Sequence, residues 1–425
     1  MDFAGFFVYG IRDTSNISHF TFIKLSFKWH NLAHFMHRKA KLMLQIFLRF
    51  FSLGLMSFGG PAAHIGYFRQ TFVNELGWLD DKRYASLVAL SQFMPGPGSS
   101  QVGFAIGYHR GGLLGAISAF AGFTLPSFIL MYLLAVTTAA WLDNLYMQGI
   151  VHGLKLLAVV VVADAVLAMF SQFCQRKTAR LLMLGSAAAM LIFPFLWTQI
   201  ALLILAALLG LSLLSASESE VQKSEPIRLN YLSLAIFIAL FAGSFFAINL
   251  GAEAGIFGEF YRVGSLVFGG GHVVLPLLET TVGDAMSGDR FLTGYAFAQA
   301  VPGPMFTFAT FLGAEMMLDN PFVGAAIATI AIFLPGFLLM LVGLKSWHAI
   351  AARPKIAGML SGVNACVVGL LAAALYQPVF TQGVLSAVDM AVVLLGFGAL
   401  KLFKPQMVLL VLGFSVCGIG LILLG

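Results

Sequence analysis

Charged residues are scarce in this chain. Lys, Arg, Asp and Glu together make up 10% of its 425 residues, and 60% of the residues are hydrophobic. Soluble domains contain about 25% charged residues, so this composition excludes an ordinary soluble domain and indicates a protein embedded in a lipid bilayer. The formal charge of +6 does not indicate nucleic acid as a partner, because the basic residues lie mainly in short segments between apolar runs, which is the pattern that orients membrane helices.

Cysteines and catalytic motifs are scarce as well. Cys174, Cys366 and Cys417 lie far apart without metal-ligand spacing, so we expect neither a disulfide framework nor a metal site. The sequence contains no Ser/His/Asp set, HExxH motif or Walker loop, so nothing favours an enzyme and we expect no cofactor. Without an ATP site, movement of a solute would depend on an ion gradient or on passive flow.

Apolar runs occupy most of the length. Runs of 18 or more apolar residues are long enough to cross a bilayer as helices, so the predicted fold is an all-α polytopic membrane protein with about 13 transmembrane helices. The predicted spans are 46–66, 84–107, 112–136, 149–170, 180–194, 196–214, 230–249, 256–279, 291–313, 322–345, 356–376, 384–400 and 405–424.

Polar segments divide the chain into parts. Residues 1–42 read as an N-terminal cytoplasmic leader that lacks the features of a signal peptide; the alternative is that translation starts at Met36 or Met43. The remaining parts are a first membrane repeat at 43–214, a cytoplasmic linker at 215–230, and a second membrane repeat at 231–425 with one extra leading helix.

The basic residues predict the orientation of the spans. With the N-terminus in the cytoplasm, 18 basic residues fall in the inside segments and three, Arg69, Lys82 and Arg83, fall in one outside loop. Cytoplasmic loops carry an excess of Lys and Arg, so this split predicts an N-terminus inside the cell.

Short motifs recur in the two halves in the same order. Residues 58–60 (FGG) recur at 268–270, 92–97 (QFMPGP) at 299–304 (QAVPGP), 125–128 (LPSF) at 334–337 (LPGF), and 152–155 (HGLK) at 361–364 (SGVN), at offsets of 207 to 210 residues. The first repeat starts at predicted span one and the second at span eight, and this odd offset turns the second repeat over. Inverted-topology repeats are typical of secondary transporters, whose substrate site lies at the repeat interface near the membrane midplane.

Each half has a Pro-Gly-Pro break near the centre of a predicted span. Pro95, Pro97, Pro302 and Pro304 interrupt these spans at matching positions, and paired breaks of this kind indicate a transporter's binding site. The alternative is two ordinary proline kinks, which membrane helices tolerate. A broken helix leaves free N–H groups and a positive dipole end at the start of its second part, and both favour an anion.

The candidate ligands of an anion follow the two breaks. They are Gly96, Gly98, Ser99, Ser100 and Gln101 in the first half, Gly303, Met305 and Thr307 in the second half, and His64 and His272 after the FGG motifs. Gly59, Gly60, Gly269 and Gly270, with the four prolines, are expected to shape the cavity, because glycine allows close approach of the backbone. These donors favour an oxyanion, while carbonyl-rich helix ends leave a cation as an alternative.

Two ionisable residues lie within one predicted span. Lys155 is a candidate ligand of the anion, because lysine inside a membrane is costly and is commonly functional; the alternative is that its side chain reaches the interface. Asp164 is a candidate proton relay, or else a residue at the inner membrane boundary. It lies nine residues after Lys155, about half a turn round the helix, so we do not expect the two to pair.

The motifs resemble a known family. FGGPAAHIGYFRQTFV and LVALSQFMPGPGSSQVGFAIG are similar to the first half of the chromate ion transporter family, and RVGSLVFGGGHVVLPLLE and GYAFAQAVPGPMFTFATFLGAE to its second half. The similarity covers residues 44–424, as in the long-chain, two-domain form of the family. The resemblance implies an efflux protein that exports chromate across the bacterial cytoplasmic membrane, driven by the proton motive force, and gives chromate resistance.

Alternatives to this function remain at the sequence level. Sulfate or another tetrahedral oxyanion is the first, because chromate and sulfate share shape and charge. A passive anion channel is the second. If the protein exports chromate, we expect protons to be its coupling ion. Association into a homodimer is possible as well.

Replacing Ser99 and Ser100 together with Ala tests the site predicted from the sequence. We expect weaker anion transport with unchanged membrane insertion, because two hydroxyl donors are lost and alanine is at least as compatible with a membrane helix as serine. Transport into vesicles and the amount of protein in membranes are the measurements. Wild-type transport both in this variant and in Lys155→Ala would contradict the predicted site.

Overall fold

The computed structural model describes residues 20–58, 60–141, 144–214, 229–268, 271–282, 285–344 and 353–424, and in these ranges the chain forms helices and no strand. The helices of the first half are α1 (Phe20–Met56), α2 (Gly60–Arg69, continued by a π-helix over Gln70–Glu75), α3 (Asp81–Phe93), α4 (Gly98–Trp141), α5 (Leu145–Phe173), α6 (Lys177–Ile192) and α7 (Leu196–Leu213).

The second half begins with one further helix and then follows a similar order. It contains α8 (Tyr231–Ser244), α9 (Ala252–Leu266), α10 (Val274–Val282), α11 (Gly288–Ala300), α12 (Phe308–Met316), α13 (Pro321–Gly343), α14 (Pro354–Ala374, continued through Leu375–Phe380 to Thr381–Gly383), α15 (Ala387–Phe403) and α16 (Met407–Leu424). Three short 3-10 helices lie at Ala247–Leu250, Gly271–Val273 and Met305–Thr307. The all-helical prediction is confirmed for the described residues.

Both Pro-Gly-Pro segments break the chain between helices, as predicted. In the first half α3 ends at Phe93 and α4 begins at Gly98. In the second half α11 ends at Ala300 and the next α-helix begins at Phe308. Proline lacks an N–H group and clashes with the preceding turn, so neither helix can continue through its break.

The segment 84–107, predicted as one span, is instead a hairpin. The guanidinium of Arg110, near the end of the first part of α4, lies over the ring of Trp78 at 5.2 Å, and Trp78 is close to the start of α3. α4 therefore returns to the end of the molecule from which α3 came, and its next part starts at the non-helical Gly111 and Gly112. Hydropathy sums the two arms of a hairpin and cannot tell whether a chain continues or returns.

The predicted span 46–66 is also two antiparallel helices. α1 and α2 meet at Ser57 and Phe58, and Phe50 of α1 stacks on Phe72 at 4.7 Å between ring centroids. α1 itself runs from Phe20 without interruption across the predicted boundary at residue 42. Residues 1–19 and most of the predicted linker, 215–228, lie outside the described residues.

A matching hairpin of the second half lies at the opposite end of α4. Arg290 of α11 pairs with Glu315 of α12 at 2.6 Å, so these two helices also return to a common end. Arg290 further donates to the carbonyl of Ala135, close to the C-terminal end of α4. We call this the Arg290 end and the other, where Trp78 contacts Arg110, the Trp78 end.

Five described helical segments are long and apolar enough to cross a membrane, and two shorter apolar helices accompany them. The five are Gly98–Thr137, Leu145–Phe173, Leu196–Leu213, Pro321–Gly343 and Lys355–Gly383. A multi-pass membrane protein follows from this result. The predicted number of about 13 transmembrane helices is not confirmed, because several of the predicted spans are hairpins or short helices in the structure.

Glycines allow the long helices to cross closely. A Cβ atom placed on Gly418 of α16 would lie 2.7 Å from the Cα atom of Gly153 of α5, and one placed on Gly362 of α14 would lie 2.9 Å from that of Gly210 of α7. Small residues at such positions let backbones approach and pack in membranes. The long helix of each half thus packs against a terminal helix of the other half.

Replacing Gly153 with Val tests this crossing. The added side chain would overlap the backbone of Phe414 and Gly418, and overpacking of this kind lowers the free energy of unfolding by about 1–3 kcal/mol. We expect a lower melting temperature of the purified protein in detergent. Gly185→Val is the control, because nothing lies within 4 Å of a Cβ atom at Gly185; equal melting temperatures of the two variants would contradict the packing argument.

Candidate functional site

The two Pro-Gly-Pro loops are bound by the opposite halves of the chain. The N–H group of Gly96 donates to the carbonyl of Val267 at 2.7 Å, and the N–H group of Gly303 donates to the carbonyl of Ser57 at 2.9 Å. Val267 and Ser57 directly precede the FGG motifs of their halves. Each break is therefore completed by the residue before the FGG motif of the other half.

Both loop glycines have backbone angles and surroundings that exclude a side chain. Their φ angles are 119° at Gly96 and 108° at Gly303, a region that favours glycine. A Cβ atom on Gly96 would lie 2.8 Å from Gly336, and one on Gly303 would lie 2.8 Å from the hydroxyl of Ser127. Gly336 and Ser127 occupy the same position in the LPGF and LPSF motifs. Three of the four recurring motifs therefore meet at this centre.

His64 links the first FGG motif to the start of α4. Its Nε2 atom lies 3.1 Å from the carbonyl of Ser57 and its Nδ1 atom lies 3.2 Å from the hydroxyl of Ser99. A carbonyl only accepts hydrogen bonds, so Nε2 carries the proton and Nδ1 of the neutral ring accepts from Ser99. Since the Ser57 carbonyl also accepts from Gly303, a chain of hydrogen bonds joins Ser99, His64, Ser57 and Gly303.

The start of α4 presents buried hydrogen-bond donors. Pro97 accepts from the N–H group of Gln101 at 2.9 Å, so the N–H groups of Gly98, Ser99 and Ser100 precede the first intrahelical bond and have no partner within the helix. Ser100 is 3% exposed and its hydroxyl has no hydrogen-bond partner among the described residues. A buried polar group without a partner is uncommon, and here it lies beside N–H groups that favour an anion.

Gln101 holds the loop rather than offering free donors. Its amide nitrogen donates to the carbonyl of Pro95 at 2.8 Å and to that of Gly336 at 3.1 Å. An amide has two N–H donors, so both are engaged, one of them across the two halves. In this conformation Gln101 positions the break beside the predicted ligands Ser99 and Ser100.

The second break is poorer in donors. The hydroxyl of Thr307 donates back to the carbonyl of Pro304 at 2.7 Å, and Met305 is buried. His272 lies 3.2 Å from the hydroxyl of Tyr295 through Nδ1, and the amide of Gln299 lies 3.4 Å from the same atom. The two breaks are related in sequence, but the first carries most of the free donors.

A small cavity lies beside the second break, next to Ser57 and Gly60 of the first half. Its volume is about 20 Å³, and it is lined by residues of both halves. The lining residues are Ser57, Gly60, Ala298, Gln299, Val301, Gly303, Met305 and Met407. This volume is enough for about one water molecule, so a tetrahedral oxyanion requires the two halves to move apart.

The predicted ionisable residues do not lie in this cavity. Lys155 pairs with Asp289 of α11, and Asp164 pairs with Lys401 of α15. As predicted, Lys155 and Asp164 do not pair with each other.

Several residues fall outside the sequence prediction. Gly59, Gly269 and Gly270, predicted to shape the cavity, lie outside the described residues, whereas Gly60 is described and has a φ angle of 76°. The sequence reasoning missed Ser57 and Ser127, because a serine in an apolar run has no distinctive spacing. Their only signal was position, since Ser57 precedes one recurring motif and Ser127 lies within another. Among the described residues, no three His, Cys, Asp or Glu side chains are grouped as metal ligands.

Comparison with known proteins gives consistent matches. The family model described as "Chromate transporter" matches residues 44–211 and again 254–419. A chromate transport protein of Pseudomonas aeruginosa is 29% identical over 345 residues, which cover 77% of this chain and 79% of that protein. A "Probable chromate transport protein" of Synechococcus elongatus is 29% identical, and the match covers 85% of this chain and 88% of that protein. An uncharacterized transporter of Methanocaldococcus jannaschii is 27% identical, and the match covers 78% of this chain and 83% of that protein. No solved structure matches the chain.

Alanine at the two loop glycines tests the geometry of the centre. Gly96→Ala and Gly303→Ala each place a Cβ atom in contact with the opposite half and add left-handed strain of about 1–2 kcal/mol, so we expect lower melting temperatures and reduced solute uptake into vesicles. Gly98→Ala is the matched control in the same loop, because its Cβ atom would meet only an ordinary contact, 3.7 Å from the Ser91 carbonyl. If all three variants behave alike, the loops do not depend on these contacts.

Proposed function

Because the chain belongs to the chromate transporter family, we propose that it is a secondary transporter that exports chromate across the bacterial cytoplasmic membrane, driven by the proton motive force. The observation that carries the proposal is the reciprocal binding of the two breaks, with Gly96 held by Val267 and Gly303 by Ser57. A transporter of this type binds its substrate where broken helices of two repeats meet.

The positions of the hairpins support inverted repeats. The hairpin of α3 and the first part of α4 returns to the Trp78 end, and that of α11 and α12 to the Arg290 end. Two related units that enter from opposite ends can exchange roles when one rocks against the other, which gives alternating access to a site between them. The small cavity beside the second break would then belong to a closed conformation.

The distribution of basic residues supports a cytoplasmic Trp78 end. Arg69, Lys82 and Arg83 belong to the two hairpins that return to Trp78, so they lie on the same side as Arg110 rather than in an outside loop. This change moves the three exceptions to the inside, and it places Arg290, which the prediction counted inside and which pairs with Glu315, at the opposite end. The connections 193–195 and 317–320, also towards the Arg290 end, contain no Lys or Arg. The N-terminus would accordingly be cytoplasmic.

The start of α4 is the proposed substrate site. Chromate is a dianion whose four oxygen atoms accept hydrogen bonds. The N–H groups of Gly98, Ser99 and Ser100 and the unpartnered hydroxyl of Ser100 are matched to such a ligand. Lys155, which pairs with Asp289, and His272 would adjust the charge nearby, and Asp164, which pairs with Lys401, would relay protons.

Two other functions share these observations. Sulfate or another tetrahedral oxyanion presents the same acceptors as chromate and would bind the same donors. A passive anion channel would use the same site without coupling to protons. Both are separated from the proposal by transport measurements.

Purified protein in vesicles with an imposed pH gradient provides the test. We expect chromate to accumulate against its concentration gradient, and to stop accumulating when a protonophore collapses the pH gradient. Flux that is unaffected by the protonophore would favour the channel. Excess sulfate is added as a competitor. If sulfate abolishes chromate transport and is itself transported in preference, sulfate replaces chromate as the proposed substrate. If sulfate does not inhibit chromate transport, sulfate is excluded as an alternative substrate.

A further inference from the structure

A second and larger cavity lies at the Arg290 end. Its volume is about 430 Å³, and its walls are the turn between α6 and α7, helix α10, the start of α11 and the C-terminal part of α14. Helix α10 follows the second FGG motif and α11 leads to the second Pro-Gly-Pro break. The cavity therefore lies between the two helices that carry the broken segments of the second half.

Glu279 of α10 is the acidic residue in the wall of this cavity. Its side chain is half-buried, and it forms no hydrogen bond or ion pair with any described residue. The neighbouring Thr280 is already bonded: its hydroxyl lies 3.2 Å from Oε1 of Gln199, and the amide of Gln199 donates to the carbonyl of Pro276 at 2.9 Å. The remaining wall combines the polar Gln377 with apolar side chains, which include Met190, Leu191, Phe195, Leu196 and Phe291.

Three charged groups on the neighbouring elements have partners other than Glu279. On α9, Arg262 donates to the carbonyl of Ser244. On α11, Asp289 pairs with Lys155 and Arg290 with Glu315. The other ionisable groups on the elements around the cavity form no hydrogen bond or ion pair with Glu279 in the described chain. They are Glu253, Glu259, Tyr261, His272, Tyr295, Lys355, Cys366, Tyr376, Lys177 and Arg180.

This setting suits a proton better than a metal ion. A metal cation such as Ca²⁺ needs about 6–8 oxygen ligands, and the described residues contain no group of three acidic, His or Cys side chains. A proton needs one carboxylate only. A half-buried carboxylate without a cationic partner is disfavoured in its charged form, so proton uptake relieves its desolvation.

We propose that Glu279 is a proton-binding site that controls the passage of the oxyanion through the 430 Å³ cavity. This inference rests on the proposed transport function and adds to it a residue and a mode of regulation. When Glu279 is ionised, its charge repels a dianion from the cavity. When a proton from the compartment at the Arg290 end neutralises Glu279, the dianion can enter, so lower pH on that side favours passage.

The first half has no acidic residue at the corresponding place. At the offsets of 207 to 210 residues that relate the motifs, the positions corresponding to Glu279 are Arg69, Gln70, Thr71 and Phe72, and none of them is acidic. The proton site would therefore act at the Arg290 end alone, and the two ends of the transporter would respond differently to pH.

The test compares rates of chromate exchange in vesicles with equal pH on both sides, from mildly acidic to mildly basic pH. In the wild type we expect the rate to fall as Glu279 ionises, by up to about tenfold per pH unit, because the protonated fraction falls by that factor. Glu279→Gln mimics the neutral form and should show a shallower pH profile with exchange retained. Glu279→Asp should keep the slope. Protonation of chromate itself affects all variants equally.

Glu253→Gln is the matched control, since Glu253 is an exposed acid at the start of α9. A Glu279→Gln variant that keeps the wild-type pH profile, or a profile that follows Na⁺ rather than pH, would overturn the inference. A wild type that exchanges sulfate but not chromate would contradict the proposed substrate only, and the same comparison then uses sulfate.

A second measurement does not depend on transport. Infrared spectra of the purified wild type, titrated with acid and base, should contain a carboxyl band that is missing in Glu279→Gln and present in Glu253→Gln. If no titrating band is lost in Glu279→Gln, Glu279 does not take up a proton and the inference fails, whatever the protein transports.

Discussion

Two backbone hydrogen bonds, from Gly96 to Val267 and from Gly303 to Ser57, hold the centre of the molecule together. Peptide groups freed by a broken helix find no water in the apolar centre of a membrane, so they need partners within the protein. Each half supplies those partners to the other. The close contacts of Gly96 with Gly336 and of Gly303 with Ser127 follow from the same pairing. The donors at Ser99 and Ser100 keep their positions only while this pairing holds.

The outer helices of the two halves also pack against each other in a reciprocal way. The long helix α5 of the first half crosses α16 of the second, and α14 of the second half crosses α7 of the first, each time at glycines. Glycines permit this close approach because no side chain separates the two backbones. The halves are therefore interlocked, and a movement that opens the small central cavity has to move these crossings as units.

Ion pairs join the halves along one helix. His152, Lys155 and Asp164 all lie on α5, and their partners Asp389, Asp289 and Lys401 all belong to the second half. The pairs differ in burial: Asp389 is 5% exposed, so losing its partner would leave a buried charge at considerable cost, whereas Asp289 is 71% exposed. Lys155 and His152 are thus explained by contacts between the halves, which do not require them to touch an anion. The charges that remain without such partners, above all Glu279, are the ones available for binding and release.

The sequence by itself determined the helical class, the recurrence of the motifs and the position of both breaks, because apolar runs, Gly and Pro act through local rules that need no knowledge of the fold. It also predicted Gly96, Ser99, Ser100 and Gly303 as site residues, since they belong to or follow the breaks. Only the tertiary structure decided that the predicted spans 46–66 and 84–107 are hairpins, because hydropathy is the same for a chain that crosses and one that returns. It likewise decided that the Gln101 amide donates to two carbonyls and that Lys155 pairs with Asp289. It also decided that the carbonyl of Ser57 accepts a hydrogen bond from the second Pro-Gly-Pro loop. Each of these depends on a contact between residues more than 130 positions apart or on the path of the chain, which no local pattern contains.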